Sequence, residues 1–187
     1  MEHVNISGTV RTEMGKTAAK NLRLSDEILC SIYGGKENIN FTTKLIDVKN
    51  LVYTPSFKLA KITVGKETIT AILKDIQFHP VSEKILHIDF LRLIDGHPIK
   101  VEVPIVCTGN SSGVKEGGKF IQKLRTAKIK CLPKDLVSEM TLDISSLGLG
   151  ATTRVRDLVP QPGIEVLNNG SVPVASIDIP RALRSSK

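Results

Sequence analysis

Residues 79–90 read HPVSEKILHIDF, and the strand that begins within this stretch indicates how the first half of the chain folds. Across residues 84–93, KILHIDFLRL, apolar and polar side chains alternate, as is typical of a strand with one buried face. His87 and Asp89 then share the outward face, within reach of each other. Three side chains are predicted to point into a core: Leu86, Ile88 and Phe90.

His87 and Asp89, with His79 in the approach loop, are compatible with four kinds of site. A metal site needs a third ligand, and only two of these side chains share a face. An acid/base pair is chemically sensible, but we find no G-x-S-x-G elbow, no phosphate loop and no cysteine–histidine nucleophile. A solvated face with a satisfied histidine is the plainest interpretation. A reader of nucleic-acid bases is the fourth, since a carboxylate accepts from base amino groups and is repelled by phosphate.

The composition favours an anionic polymer as partner. The formal net charge is +7 and the sequence pI is about 9.4. With no Trp, two Tyr and five Phe, stacking of many single-stranded bases is disfavoured, so Lys and Arg contacts are the more natural mode. No cofactor, small-molecule substrate or metal is predicted.

Targeting and redox signals are weak. No apolar run is long enough to span a bilayer, and the start MEHVNISGTV does not resemble a signal peptide, so a cytoplasmic protein with no membrane partner is predicted.

Cys30, Cys107 and Cys131 lie far apart, which indicates neither a disulfide framework nor a zinc site. We interpret them as reduced core or near-core residues.

The first half carries a basic stripe. A helix over GKTAAKNLRL places Lys16, Lys20 and Arg23 at i, i+4 and i+7 on one face, with Arg11 on the strand just before it. Asp47 is predicted to be the N-cap of a short helix, VKNLVY. Strands are predicted at HVNISGTVR, EILCSIYGG, INFTTKLI, KLAKITVG, ETITAILKDIQF and KILHIDFLRL.

The turn signal Asp-Gly-His-Pro at residues 95–98 predicts a boundary between domains 1–94 and 95–187. Strands separated by Gly, Pro, Asn and Ser predict a largely antiparallel β domain beyond it. A basic run from Lys115 to Lys134 is more often a solvated strand face than an RNA site. The strands are predicted at IKVEVPIVC, FIQKLRTAKIKCL, EMTLDIS, TRVRDLV, GIEVL and VPVASIDI.

Separated motifs carry a family resemblance over essentially the whole chain. RTEMGKTAAKNLR, IYGGKE and QFHPVSEKILHIDFLRL, followed by KCLPKDL, TLDISSLGLGATTRVRDL and VPVASIDIPRA, resemble the bacterial large-subunit ribosomal proteins that bind 5S rRNA, in their long form called the general stress protein CTC family. The resemblance implies a mainly β protein with short helices: a six-stranded β-barrel that binds 5S rRNA, then an antiparallel β domain. The first domain also resembles in fold the anticodon-binding part of glutaminyl-tRNA synthetase.

That resemblance implies a structural, non-enzymatic component of the large ribosomal subunit, with 5S rRNA, large-subunit rRNA and neighbouring ribosomal proteins as partners. A stress-related interaction protein, acting off the ribosome through its second domain, is the alternative. Seven RNA-binding positions carry over: Arg11, Lys16, Lys20 and Arg23 for phosphates and grooves, Tyr33 beside them, and His87 with Asp89 facing the RNA.

Overall fold

A computed structural model describes residues 1–35 and 37–180. The chain divides into two compact units, the first being Met1–His97 and the second starting at Pro98. Both units are built mainly from β-strands, and the six strands of the first close into a barrel. The predicted fold class is thereby confirmed.

The barrel strands follow the order β1-β3-β2-β6-β5-β4. Two neighbouring pairs, β1 with β4 and β2 with β6, are parallel, and the other four are antiparallel. The elements are β1 His3–Val10, α1 Lys16–Leu24, β2 Glu27–Tyr33, β3 Ile39–Lys44, α2 Leu45–Val52, β4 Leu59–Val64, β5 Glu67–Phe78 and β6 Ile85–Arg92.

Aromatic and branched side chains fill the barrel. Phe41 on β3 and Phe90 on β6 are fully buried, with ring centroids 6.0 Å apart. Ile62 and Ile88 are equally buried beside them, as expected for alternate positions on strands with one inward face. Gly8 on β1 leaves space for Phe41, because a Cβ at residue 8 would overlap its ring. Burial of these side chains supplies the main driving force for closing the barrel.

β6 contains an irregularity that changes the predicted inward face. Gln77 pairs with His87 but Phe78 pairs with Ile85, so Leu86 is an extra residue opposite β5. Such a bulge shifts the alternation of inward and outward side chains by one residue, so that positions before it point to the opposite face from the one predicted. Ile85 is therefore buried and Leu86 only partly buried, and the prediction that Leu86 faces the core is wrong.

Asp47 is not the N-cap of α2. The helix starts at Leu45 directly after β3, with Lys44 at the cap position, and Asp47 lies in its first turn. The carboxylate still faces the positive end of the helix, which is favourable. It also accepts a 2.5 Å hydrogen bond from the hydroxyl of Ser7, which ties α2 to β1.

The second unit contains a four-stranded sheet, β10-β7-β9-β12, and a three-stranded sheet, β11-β13-β8. All strand pairs described there are antiparallel except β7 with β10. The elements are β7 Ile99–Thr108, α3 Ser112–Lys115, β8 Lys119–Gln122, β9 Thr126–Cys131, β10 Met140–Asp143, β11 Thr152–Arg154, β12 Glu165–Val166 and β13 Pro173–Asp178, with 3-10 turns at Pro133–Asp135 and Val155–Asp157.

Two strand predictions in this unit need correction. FIQKLRTAKIKCL forms two strands, β8 and β9, separated by a bend. TRVRDLV stops being a strand after Arg154, where the carboxylate of Asp157 accepts from the Arg154 backbone N–H at 2.8 Å and starts a 3-10 turn. Local side-chain-to-backbone bonds of this kind compete with sheet pairing.

The three cysteines occupy core or near-core positions. Cys30 and Cys131 are buried, Cys107 is partly buried, and all three are free thiols. Within the described residues, the longest helix is far too short to cross a membrane.

Candidate nucleic-acid interface

Helix α1 presents the predicted basic stripe. Lys16, Lys20 and Arg23 are all exposed, and no residue of the helix is buried. The opposite side, with Ala18 and Leu22 partly buried, packs against β2. Three cations on one exposed helix face attract phosphate groups.

Arg23 fixes the end of this helix against the barrel. Its Nε donates to the backbone carbonyl of Leu86, the bulge residue of β6, at 3.4 Å. Because His87 follows Leu86, the basic stripe ends beside the outward face of β6. Helix and strand therefore form one continuous surface.

Arg11 lies at the end of β1, next to β3. Its backbone N–H donates to the carbonyl of Asn40 at 2.9 Å, and its guanidinium donates to the carbonyl of Glu13 at 3.3 Å. The Nε of Arg11 is buried and, within the described part of the chain, has no hydrogen-bond partner. The side chain is thus held partly inside, and only part of its guanidinium is available to a phosphate.

His87 and Asp89 are paired on the outward face of β6. The Nδ1–H of His87 donates to Oδ1 of Asp89 at 2.9 Å, and the two side chains are 24% and 33% exposed. The strand alternation predicts this shared face, because the bulge precedes both residues. A partly exposed carboxylate with spare acceptor capacity can take a hydrogen bond from a base amino group.

Ser31 and Asn40 extend this pair across the sheet, and sequence reasoning missed both. The hydroxyl of Ser31 on β2 lies 3.3 Å from Nε2 of His87 and donates to Oδ1 of Asn40 on β3 at 2.8 Å. A signal was present: Ser31 interrupts the otherwise apolar centre of EILCSIY at an outward position. Four polar side chains thus form one row over three adjacent strands.

Tyr33 lies at the end of β2, partly buried, in the field of two carboxylates. Burial raises the pKa of its phenol, and the nearby charges of Asp89 and Asp75 raise it further. Asp75 on β5 is the register partner of Asp89. The phenol therefore stays protonated and remains a hydrogen-bond donor beside the polar row.

His79 belongs to a turn and not to this face. Its Nδ1 accepts from the backbone N–H groups of Val81 and Ser82 at 3.3 and 3.1 Å. No group of three potential metal ligands assembles anywhere in the described residues. The interpretation of residues 79–90 as a metal site therefore has no support in the geometry.

The row from Ser31 through His87 to Asp89 has the order of a hydrolase triad, but its setting differs. In α/β-hydrolases the nucleophile stands on a sharp turn that aims its oxygen at the substrate. Ser31 instead lies within strand β2 and not on a turn, and its hydroxyl already bonds Asn40. The arrangement holds side chains in place and does not expose a nucleophile.

The basic segment of the second unit is partly neutralised. Lys128 pairs with Glu102 at 3.4 Å and Lys130 with Glu165 at 3.3 Å, both on the sheet that contains β7, β9 and β12. Exposed pairs of this kind contribute little to stability but reduce the local field. This strand face has the character of a solvated surface.

The sequence matches known protein families over nearly its full length. A model described as the Ribosomal L25p family matches residues 6–90, and one described as Ribosomal protein TL5, C-terminal domain, matches residues 98–181. Large ribosomal subunit protein bL25 of Porphyromonas gingivalis is 41% identical over 100% of this chain and 97% of its own length. The chain belongs to the bL25 family.

Other bL25 proteins agree with this assignment. Those of Phocaeicola vulgatus and Cytophaga hutchinsonii are 37% and 34% identical, each over 100% of this chain and 97% of their own length. The relatives are named as ribosomal proteins, and this bL25-family chain is not an enzyme. The resemblance to bacterial large-subunit ribosomal proteins, stated from the motifs, is confirmed.

Proposed function

We propose that this chain is a structural component of the large ribosomal subunit that binds 5S rRNA through its barrel. The observation that carries the proposal is the continuous surface formed by the basic stripe of α1 and the outward face of β6, joined where Arg23 meets Leu86. Membership of the bL25 family supports a ribosomal location. The choice of 5S rRNA as the particular RNA rests on the motif resemblance.

The proposed division of labour follows from RNA chemistry. Paired RNA is recognised mainly by shape, by 2′-hydroxyls and by phosphates, because the A-form major groove is too narrow for side chains. Lys16, Lys20 and Arg23 contact phosphates, with Arg11 contributing the exposed part of its guanidinium. Asp89 accepts from a base amino group and supplies discrimination, since a carboxylate cannot approach phosphate. Tyr33 and His87 lie beside it.

Large-subunit rRNA and neighbouring ribosomal proteins are the further partners, and the ribosome in the cytoplasm is the location. In this proposal the second unit, whose β9 cations are paired with Glu102 and Glu165, contributes little to phosphate binding. The fragment bound by the barrel is an internal loop of 5S rRNA, where a distorted minor groove exposes base edges.

The test is binding of the full chain to a 5S rRNA internal-loop fragment and to an unrelated RNA hairpin at several salt concentrations. Asp89→Ala should reduce the preference for the loop, by up to about 3 kcal/mol if it removes a base-amino contact. Lys20→Ala should weaken both complexes equally. Lys61→Ala is the matched control, because Lys61 is exposed on β4, opposite β2 in the barrel order.

Equal affinity of the wild-type chain for the loop and for the hairpin would contradict the proposal. Sedimentation gives a second, independent result. A ribosomal component should sediment with large subunits at moderate salt. A persistent free pool would favour instead a stress-related role off the ribosome.

A further inference from the structure

We propose that Ser31 and Asn40 are positioning residues that act through His87 to hold the carboxylate of Asp89 in one orientation. The inference rests on the proposed RNA-binding function and assigns roles within the same surface. His87 then connects Ser31 on β2 and Asn40 on β3 to Asp89 on β6. Direct contact with the RNA base falls to Asp89.

Strand register places the four side chains in one row. Ser31 is the register partner of Asn40 in the antiparallel pair of β2 and β3, and of Asp89 in the parallel pair of β2 and β6. His87 is two residues from Asp89 and pairs with Leu29, which is buried. The imidazole therefore lies between Ser31 and Asp89, and each of its two ring nitrogens is within hydrogen-bond distance of one of them.

Hydrogen-bond chemistry determines what each nitrogen of His87 does. A carboxylate only accepts, so the 2.9 Å contact with Asp89 requires a proton on Nδ1. Nε2 is 3.3 Å from the Ser31 hydroxyl, so both ring nitrogens have partners inside the protein. No ring nitrogen is left for a base unless one of these bonds breaks.

Asn40 completes the arrangement in either protonation state of His87. If Nε2 carries a proton, it donates to Ser31, and the Ser31 hydroxyl donates to the amide oxygen of Asn40, the direction seen here. If Nε2 is unprotonated, the Ser31 hydroxyl donates to it, and the Asn40 amide, with its oxygen and nitrogen exchanged by rotation, donates an N–H to Ser31. The ring keeps its orientation in both cases, because Asn40 adapts and Ser31 stays in place.

Asp89 has the geometry that this role requires. Its carboxylate is about a third exposed, and an ionised carboxylate accepts several hydrogen bonds. The proton from His87 uses one of these sites and fixes the plane of the group. A fixed plane is needed for selective acceptance from a base amino group, since a freely rotating carboxylate discriminates less well.

Ring-nitrogen NMR of the full chain without RNA tests the positioning directly. In the wild type we expect the 15N signals of His87 to show a single form with Nδ1 protonated. Ser31→Ala removes the Nε2 partner but leaves the Asp89 contact, so Nδ1 should stay protonated while the Nε2 signal shifts and broadens as the ring gains mobility. Ser31→Thr, which keeps a hydroxyl on the strand, should restore the wild-type Nε2 signal. Ser7→Ala is the matched control, because the Ser7 hydroxyl bonds Asp47. Unchanged His87 signals in Ser31→Ala would overturn the inference.

RNA binding of the same variants tests the consequence. Ser31→Ala and Asn40→Ala should reduce the preference for the 5S loop over the hairpin by about twofold to tenfold, as expected for loss of one neutral hydrogen bond. Ser31→Thr and Ser7→Ala should retain it. Loss of preference in Ser7→Ala to the same extent would point to a general structural effect and would also overturn the inference.

The two proposals fail in different ways. If the wild-type chain shows no loop preference, the proposed 5S function fails, and the His87 signals alone then decide whether Ser31 holds the ring. If the wild type prefers the loop but Ser31→Ala keeps both the preference and the His87 signals, the 5S function stands and the positioning role is refuted.

Discussion

Arg23 on α1 bonds the backbone of Leu86 on β6, with Nε 3.4 Å from the carbonyl oxygen. Leu86 is the extra residue of the bulge in β6, and its side chain is only partly buried. Arg23 is therefore both a cation of the proposed RNA surface and a residue that contacts the strand from the helix. Substitutions at Arg23 can separate the effect of its charge from the effect of its hydrogen bond to Leu86.

Arg23→Lys keeps the charge but removes the planar Nε donor. We expect RNA affinity to fall about twofold to tenfold through loss of this hydrogen bond, with an unchanged salt dependence. Arg23→Ala should lower the affinity further and also reduce the salt dependence. Arg125→Lys, at an exposed arginine of the second unit, is the control and should bind like the wild type. Equal affinities for the Arg23→Lys variant and the wild type would show that only the charge matters.

Salt dependence should report the number of phosphates contacted. If the basic surface neutralises about four to six phosphates, log affinity against log salt should have a slope of roughly −3 to −5. Lys20→Ala should make the slope less steep by about one unit, since Lys20 is exposed on the stripe. Lys61→Ala should leave it unchanged. A slope near zero for the wild type would exclude phosphate contacts as the main source of affinity.

Local patterns predict most of this fold. Alternation within β1, β4 and β5 marks the strands, and Gly65-Lys66 forms the predicted turn between β4 and β5. The His87–Asp89 pair follows from spacing on a single strand. Such features depend only on neighbours in sequence, which is why they can be predicted.

Features that depend on distant partners could not be predicted in the same way. The position of Leu86 is set by its register against β5, and the link from Ser31 to His87 by a parallel pairing of strands 56 residues apart in sequence. The pairing of Lys128 with Glu102 depends likewise on the register of β7 and β9. Sequence alone does not specify these registers, so the basic run appears more cationic than it is.

Helix α1 should be the least protected helix or strand of the first unit. No residue of the helix is buried, its N-cap Gly15 makes no side-chain cap bond, and Lys16 and Lys20 repel each other one turn apart. We expect fast hydrogen exchange of its amides in the free protein, compared with those of β2 and β4, and slower exchange in the RNA complex. Full protection of α1 in the free protein would contradict this view of a weakly held helix.

Gly8 should be intolerant of substitution, because the Phe41 ring occupies the space that a Cβ needs. Gly8→Ala forces the ring or the strand to move, and overpacking of this kind costs about 1–3 kcal/mol of unfolding free energy. Urea denaturation provides the measurement. Gly148→Ala is the matched control, since a Cβ there meets no atom within 4 Å. Equal stability of the two variants would show that the barrel core is looser than described.

The cysteines should differ in reactivity, with a defined pH dependence. Cys107 is partly buried and Cys30 and Cys131 are buried, so a thiol reagent should label Cys107 first and the other two only after unfolding. Burial raises the pKa of all three thiols, most strongly for Cys30, where the charge of Asp89 adds to the effect. The labelling rate of Cys107 in the folded chain should thus keep rising with pH above the value at which it levels off in urea.

The same pKa shifts predict how stability changes at alkaline pH. Because the unfolded chain ionises its thiols first, the free energy of unfolding should be retained below the ordinary thiol pKa and decrease as the pH rises through it. Cys30→Ala should lessen this alkaline decrease, since it removes the thiol with the largest shift. A stability that stays level or rises between about pH 8 and pH 10, across the ordinary thiol range, would contradict the burial of these thiols.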